Sequence, residues 1–423
     1  MITVVGYDGG PPPEVALERL AAADLVVGGA RHLAALPPPG SARTVVPGDV
    51  DAALEEIDAA AREGNTVVLA GGDPGFFGIV RALRARGHRP EVIPAVSAVA
   101  AGFARAGLPW DDALVVSAHG GELRRAVNAC RAHPKVAVLT ALGAGPAELA
   151  RALFPQHPRA FVVCEDLGGP AERVVHCRPA EATTRPWRDP DVVLVLDSTA
   201  PPAGRGWLAG ARPGPAGWAL PEDAFEHRHP VVTRAEVRAF ALARLGPRLG
   251  DLVWDVGAGS GSVAIECARF GAAAIAVERD EESCERIRRN VRAHGVKVAV
   301  SRGIAPAVLD HLPDPDAVFV GAGGIEVVEA CAARALRAVV VELAPVERVR
   351  PALEALRAAG FTAGAVQLQA ARLSPLPGDV HRLAAMDPVF VVWGVRPGPE
   401  RPPVPPPAPS RPAAIAELPE ENA

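Results

Sequence analysis

One stretch decides the fold of the second half of this chain: Leu252-Val-Trp-Asp255-Val-Gly257-Ala-Gly259-Ser-Gly261-Ser-Val-Ala-Ile265. An apolar run of strand length leads into three glycines at alternate positions, and a run with helical character follows. Glycine lets a ligand approach the backbone closely, and the first turn of a helix offers free N–H groups. The stretch therefore predicts a strand, a glycine-rich ligand-binding turn and a helix.

Glu278 ends the next apolar run, about twenty residues further on, where a carboxylate can accept hydrogen bonds from ribose hydroxyls. A dinucleotide fingerprint requires G-x-G-x-x-G, but the sixth position here is Ser262 and the third glycine is Gly261. The spacing therefore disfavours NAD. A glycine turn without a ligand is the structural alternative.

Composition and charge exclude several classes of protein. The 423 residues carry 44 Lys and Arg against 49 Asp and Glu, and a net charge of -5 argues against a dedicated nucleic-acid binder. The longest uncharged apolar stretch, 92–104, is too short to span a bilayer, and no signal-peptide pattern occurs. We expect a cytoplasmic protein with neither a membrane nor a nucleic acid as partner.

Six cysteines without a C-x-x-C pattern predict buried free thiols and no metal site.

Strand-like and helix-like patterns alternate in both halves, which predicts α/β architecture with ligands at the carboxyl ends of the strands. The predicted strands are 2–5, 25–27, 66–70, 115–117, 136–140, 161–164, 192–196, 252–256, 274–278, 296–300, 317–320 and 339–341. The predicted helices are 15–23, 50–63, 78–86, 98–106, 122–132, 147–153, 262–270 and 281–294. Composition divides the chain into a first domain (1–200), a Pro/Gly/Ala-rich linker (201–219), a second domain (220–396) and a Pro-rich tail (397–423), either passive or partner-binding.

The G-x-G-x-G pattern with Asp255 two residues before it resembles motif I of Rossmann-like S-adenosylmethionine (SAM) methyltransferases. The segments 220–227, 233–238, 303–306 and 313–324 narrow the resemblance to the carbon-15-methylating, decarboxylating half of the precorrin-6Y C5,15-methyltransferase family. The resemblance implies that SAM contacts Thr233, Asp255, Gly257, Gly259, Gly261, Glu278, Gly303 and Ala305. Two residues depart from the family pattern, since Glu342 and Asp387 stand where asparagine is usual.

Loops in the first half resemble the tetrapyrrole methylase family in their order and spacing, and within it the carbon-5-methylating half of the same enzymes. The loops are 4–11, 70–78, 94–98, 117–120 and 165–168. The resemblance implies that a second SAM contacts Gly6, Gly9, Gly72, Asp73, Pro74 and Ser97. Ala98 replaces the usual second serine and Ala141 replaces the usual aspartate after the central strand. Ordinary turns are the alternative for each loop.

Together the resemblances imply a fold with an N-terminal tetrapyrrole-methylase-type α/β domain and a C-terminal Rossmann-like class I SAM-dependent methyltransferase domain. They imply methylation of carbons 5 and 15 of a reduced precorrin-6, with loss of its carbon-12 acetate carboxylate, to give precorrin-8 in cobalamin synthesis. The partner would be a small-molecule tetrapyrrole, and the protein a homo-oligomer. Two alternatives are a SAM methyltransferase of another small molecule and a non-catalytic protein that binds corrin intermediates.

Methyl transfer from a sulfonium requires alignment and exclusion of water more than a strong base, so the chemistry needs neither a triad nor a metal. A tetrapyrrole carries many carboxylates, which arginines bind well. Arg234 and Arg238, four residues apart, are candidate anchors, with a solvated helix face as the alternative. His119 is a candidate substrate-side base or a structural residue. Glu342 is a further substrate-side candidate.

Overall fold

The computed structural model describes residues 1–60, 64–119, 122–141, 143–153, 159–188, 190–198, 209, 214–228 and 232–397. Most of the linker prediction and nearly all of the tail prediction therefore lie outside the described residues. The strands are β1 (Ile2–Tyr7), β2 (Leu25–Gly28), β3 (Arg43–Val45), β4 (Thr66–Gly71), β5 (Glu91–Ile93), β6 (Leu114–Ser117), β7 (Lys135–Leu139), β8 (Ala160–Glu165), β9 (Arg173–Cys177), β10 (Pro190–Leu196), β11 (Leu252–Val256), β12 (Ala273–Glu278), β13 (Ala299–Arg302), β14 (Ala317–Val320), β15 (Ala338–Leu343), β16 (Thr362–Leu368), β17 (Ala371–Leu376), β18 (Val380–Ala385) and β19 (Val389–Val395). The helices are α1 (Glu14–Ala21), α2 (Ala30–Ala35), α3 (Val50–Ala60), α4 (Ile79–Ala85), α5 (Ala98–Ala106), α6 (Leu123–Ala132), α7 (Pro146–Leu153), α8 (Pro179–Thr184), α9 (Ala235–Leu245), α10 (Ser262–Arg269), α11 (Glu281–Ala293), α12 (Ile325–Arg334) and α13 (Val349–Ala358).

Two five-stranded sheets form the N-terminal half. The first has the order β3-β2-β4-β1-β5 and is entirely parallel, with separate core clusters on its two faces. The second has the order β6-β7-β10-β8-β9, in which only the β6–β7 pair is parallel. Both sheets carry helices over their strands, as the near-continuous apolar runs of buried strands require. The predicted α/β architecture of this half is confirmed.

The C-terminal sheet has seven strands in the order β13-β12-β11-β14-β15-β19-β16. All neighbours are parallel except at β19, which runs antiparallel to both β15 and β16. The chain leaves β11 to one side for β12 and returns to its other side for β14. A crevice for a ligand forms where the strand order reverses in this way, at the carboxyl ends of the strands.

The predicted strands and helices omit several elements that the structure contains. Strands β3 and β5 contain three residues each and lie at the edges of their sheet. The predicted strands also lack β16, which alternates only between exposed and partly buried residues. They lack β19 as well, although it is a mostly apolar run, Val389–Val395. The strand predicted at 296–300 lies instead at Ala299–Arg302.

All six cysteines are buried and free, which confirms the prediction from their spacing. Burial raises the pKa of Cys130 and of Cys331 to about 12, so neither thiol is a ready nucleophile. Among the described residues, no helix is both long and apolar enough to cross a bilayer.

The core between α9, α10 and the C-terminal sheet offers a test of the packing. Phe319 on β14 is 1% exposed and belongs to this cluster. Phe319→Ala should lower the free energy of unfolding by about 3–5 kcal/mol, because the truncated side chain leaves a cavity. Urea denaturation of the full chain measures the change. Leu373→Ala, at a side chain that is 71% exposed, is the matched control and should change it by less than about 0.5 kcal/mol. Equal effects of the two substitutions would contradict the assigned core.

Candidate active sites

The glycine turn after β11 packs tightly against its neighbours. Gly257 has a φ of +75°, and a Cβ added to it would lie 2.6 Å from the Cβ of Ala322, in the loop after β14. Gly261 also has a φ of +75°, and its added Cβ would lie 2.8 Å from the side chain of Ile287 on α11. Only glycine combines this backbone conformation with this approach. The turn therefore lies at the crevice between β11 and β14.

Glu278 is oriented by backbone N–H groups on both sides of it. Its Oε2 accepts from Gly259 N–H at 2.9 Å, and its Oε1 accepts from Arg279 and Asp280 N–H at 2.8 and 3.1 Å. The N–H of Gly303 donates to the Glu278 carbonyl oxygen at 3.0 Å. An ionised carboxylate has about four acceptor positions, so Glu278 keeps capacity for a ligand hydroxyl. The structure thus brings Gly259, Glu278 and Gly303 together, and their contact with a cofactor stays a prediction.

Asp255 lies beneath the glycine turn and is only 1% exposed. Its Oδ2 accepts from Ala264 N–H at 2.9 Å, which ties the end of β11 to the first turn of α10. Burial raises the pKa of Asp255 to about 7, and the charges of Glu278 and Glu342 raise it too. The hydrogen bond from Ala264 N–H has the opposite effect and lowers this pKa. Asp255 therefore has a clear structural role, and its contact with a cofactor stays a prediction.

Thr233 and Glu342 meet at the same edge of the sheet. Thr233 Oγ1 donates to Glu342 Oε2 at 3.2 Å, and Glu342 lies near the carboxyl end of β15. Burial raises the pKa of Glu342, while the bond from Thr233 and the nearby charges of Arg234 and Arg238 oppose the rise. Ala305 lies further along and packs against the large core cluster of this sheet.

The two predicted arginine anchors have different surroundings. Arg238 is fully buried, donates to the carbonyl oxygens of Thr233 and Leu220, and has its Nε 3.7 Å from Glu266. The solvated helix face offered for Arg238 is therefore wrong, because α9 packs this residue against α10. Its role as a substrate anchor stays a prediction. Arg234 is partly buried and donates through Nη1 to the carbonyl oxygen of Asp387 at 2.5 Å.

A cleft of about 280 Å³ lies at the carboxyl ends of the N-terminal strands, and its lining includes Asp8, Gly72, Ala98, His119 and Thr140. Two predicted site residues, Gly72 and His119, therefore meet there. The Nδ1 of His119 lies 2.9 Å from Ser117 Oγ, which orients the exposed ring. The position is compatible with a substrate-side role for His119.

The predicted N-terminal glycines allow loops from different strands to touch. A Cβ on Gly6 would lie 2.4 Å from the carbonyl oxygen of Gly72 and 2.9 Å from Pro74 Cδ. Gly9 has a φ of +90°, and a Cβ there would lie 1.8 Å from the carbonyl oxygen of Gly168. The loops after β1, β4 and β8 are therefore in direct backbone contact.

Two other predicted residues shape the backbone around the cleft. Asp73 Oδ1 accepts from Gly75 N–H at 2.8 Å and closes the turn after β4. Ser97 caps α5, because its Oγ accepts from Ala100 N–H at 3.2 Å. Contacts of these side chains with a cofactor stay predictions.

Sequence reasoning missed Asp8 and Arg31. Asp8 accepts from Gly10 N–H and from Val96 N–H, both at 3.0 Å, and so joins the first loop to the segment before α5. Arg31 lines the cleft, and its Nη1 lies 3.6 Å from Asp166. Asp8 stands inside a loop that the sequence singled out. Nothing in the sequence marks Arg31, since packing alone brings α2 to the cleft.

Comparison with known proteins identifies relatives of both halves. Residues 223–395 match the family model described as precorrin methyltransferase domain, and residues 13–183 match that of tetrapyrrole (corrin/porphyrin) methylases. A precorrin-6Y C(5,15)-methyltransferase [decarboxylating] from Sinorhizobium sp. is 36% identical over 327 residues, which cover 73% of this chain and 74% of the relative.

Two shorter relatives each match one half of the chain. A probable cobalt-precorrin-6B C(15)-methyltransferase (decarboxylating) from Pyrobaculum calidifontis is 36% identical over 183 residues, 41% of this chain and 93% of the relative. A cobalt-precorrin-7 C(5)-methyltransferase from Salmonella typhimurium is 37% identical over 208 residues, 47% of this chain and 99% of the relative.

The buried carboxyl of Asp255 predicts a pH dependence of stability. Its pKa is raised in the folded state, so the folded protein binds this proton more tightly than the unfolded chain. Asp255 should therefore make stability fall as pH rises from about 4 to about 7. Asp255→Asn keeps an oxygen acceptor for Ala264 N–H but does not titrate.

The free energy of unfolding of the wild type minus that of Asp255→Asn should decrease by about 1–4 kcal/mol between pH 4 and pH 7. Urea denaturation at a series of pH values measures this difference. Glu347→Gln, at an exposed side chain, is the control and should give a constant difference. A constant or rising difference for Asp255→Asn would show that its carboxyl is not held protonated.

Proposed function

Because the chain belongs to the precorrin-6Y C5,15-methyltransferase (decarboxylating) family, we propose that it methylates carbons 5 and 15 of a reduced precorrin-6 and removes the carboxylate of its carbon-12 acetate. One observation carries the proposal. A single chain places two separate glycine-lined sites at the carboxyl ends of strands in two different α/β folds, and it resembles a bifunctional relative across both. The proposed methyl donor at each site is SAM, and the proposed product is precorrin-8.

Two features of the C-terminal crevice support SAM as its ligand. Glycines at 257, 259 and 261 leave backbone where side chains would otherwise fill the turn, and Glu278 keeps acceptor capacity for ribose hydroxyls. The charges of Glu278 and Glu342 both disfavour the ionised form of Asp255, so the crevice repels further negative charge. A cationic ligand relieves this repulsion, and SAM supplies a methyl group on a positively charged sulfonium.

The N-terminal cleft also fits a ligand of this size. A second cavity, of about 600 Å³, shares Asp8 and Val96 with the 280 Å³ cleft and extends along Gly9 and Gly168. Clefts of roughly 300–1,000 Å³ are typical of small-molecule sites. The two cavities together provide room for a cofactor beside a substrate.

The chain's own residues would act mainly by position. Loops that meet through Gly6, Gly72 and Gly168 hold the N-terminal cleft in shape, so reacting groups can be aligned and water excluded. Arg31 offers positive charge at the cleft for substrate carboxylates, and His119 lies where it can accept a proton from the methylated ring. In the C-terminal site, the bond between the acetate methylene and its carboxylate breaks as carbon dioxide leaves, and the methylene carbon keeps the electron pair and takes up a proton. The carboxyl of Glu342, whose pKa is raised by burial, can supply that proton.

Titration with S-adenosylhomocysteine, the product of methyl transfer, tests the proposal by stoichiometry. We expect two sites per chain in isothermal titration calorimetry. Gly259→Arg should remove one site by filling the C-terminal turn, and Ala101→Trp should remove the other, because Ala101 lines the N-terminal cleft. The double variant should not bind.

Gly295→Arg is the matched control for the glycine substitution. Gly295 also has a positive φ, of +61°, but nothing lies within 4 Å of an added Cβ, so two sites should remain. Absence of binding to the wild type would overturn the use of SAM. A single site unaffected by Ala101→Trp would mean that the N-terminal half binds no cofactor.

A further inference from the structure

A cavity of about 330 Å³ lies beside the C-terminal crevice, at the point where α12 and α13 begin. Helix α12 follows β14 and helix α13 follows β15, so the cavity opens at the carboxyl ends of two neighbouring parallel strands. Ligands of open α/β sheets bind at this edge. The residues proposed above to hold SAM or to act on the substrate lie outside its lining. The cavity is therefore a separate feature at the same edge of the sheet.

The cavity adjoins the glycine turn through the loop after β14. Gly321 N–H donates to the Val256 carbonyl oxygen at 2.9 Å, and Ala322 Cβ lies 2.6 Å from a Cβ added to Gly257. Gly323, the next residue of the loop, lines the cavity. A group bound in the cavity would therefore lie next to the turn at which we propose that SAM binds.

Arg348 supplies positive charge to this cavity and, in the described part of the chain, pairs with no carboxylate. Its Nη1 donates to the carbonyl oxygen of Gly323 at 3.4 Å, which is long for an N–H···O bond. Arg350, by contrast, lies 2.8 Å through Nε from Glu354 and does not line the cavity. A guanidinium carries five N–H donors, so Arg348 keeps several for a bound carboxylate.

The rest of the wall is mostly apolar. Ile325, Leu343 and Pro351 line it, and Ile325 is 38% exposed. A short aliphatic arm that ends in a carboxylate matches this pattern, because its methylene groups contact the apolar wall while its oxygens reach the guanidinium. The volume lies at the small end of the range for ligand sites, so the cavity admits an arm of a tetrapyrrole and not the whole ring.

We propose that this cavity binds a carboxylate-bearing side chain of the tetrapyrrole, with Arg348 as its charge partner, and so sets how the ring lies against the methyl donor. The inference rests on the proposed function. The arm bound here is one that the product retains, since a guanidinium that stabilises a carboxylate opposes the loss of that carboxylate as carbon dioxide. Arg348 is thus a residue that orients the substrate and takes no part in bond breaking.

Glu326 gives the proposal a second, opposite sign. It lines the same cavity, and its carboxylate folds back against Gly324, where an added Cβ would lie 2.2 Å from Oε2. Its negative charge disfavours a carboxylate arm nearby. Removal of the charge at Glu326 should therefore strengthen binding of the substrate, whereas removal of the charge at Arg348 should weaken it.

Carbon dioxide release by the full chain tests the proposal, because decarboxylation is proposed for the C-terminal half alone. Arg348→Gln should raise KM for reduced precorrin-6 roughly 10- to 100-fold, through loss of a charge-assisted hydrogen bond. The kcat should stay within about threefold, since an arm that does not react is bound equally in the ground state and the transition state. Arg348→Lys keeps the charge but not the planar fork, so its KM should be intermediate. Glu326→Gln should lower KM roughly two- to fivefold.

Arg350→Gln is the matched control, because it removes an exposed arginine charge outside the cavity, and its KM should stay within about twofold of wild type. Each variant should bind as many equivalents of S-adenosylhomocysteine as wild type, which shows that it is folded. A KM for Arg348→Gln within about twofold of wild type, or a rise in KM for Glu326→Gln, would overturn the assignment of the cavity. A wild type that releases no carbon dioxide would overturn the proposed function itself, and this inference with it.

Discussion

Burial of strand β11 on both faces is the constraint on which the rest of the C-terminal half depends. Every residue of Leu252–Val256 is buried, with β12 and β14 as parallel neighbours. Polar chemistry can therefore occur only at the two ends of the strand. The amino end takes the Asp316 carboxylate that also binds Arg124, and the carboxyl end leads into the glycine turn. One strand thus positions both the contact between the halves and the site.

The two candidate sites make room for a ligand with glycines, but in backbones of different topology. The C-terminal site relies on positive-φ glycines in one turn and on a carboxylate that is fixed by backbone N–H groups. The N-terminal site relies on glycines that let three loops from different strands touch one another. In both cases glycine, which has no side chain, leaves room for a ligand beside the backbone. Neighbouring polar groups set the charge of that space. Such sites suit methyl transfer, in which alignment matters more than acid–base strength.

Local signals in the sequence were sufficient to predict the strands and glycine turns that build the sites. Strand 252–256 and helix 98–106 have the bounds that were predicted, because an apolar run between turn residues is a local property. The burial of Arg238 is not predictable from local sequence, since it depends on the packing of α9 against α10. Arg31 reaches the cleft only because α2 packs there, and the antiparallel β19 pairs with strands distant in sequence. Tertiary packing decided each of these cases.

We propose that one chain makes two methyl transfers and one decarboxylation on a single tetrapyrrole. Incubation of the full chain with reduced precorrin-6 and SAM carrying an isotopically labelled methyl group, followed by mass spectrometry, tests it most directly. We expect a product that carries two labelled methyl groups and has lost one carbon dioxide. A final product with one labelled methyl group and an intact acetate, formed by protein that binds two equivalents of S-adenosylhomocysteine, would contradict it.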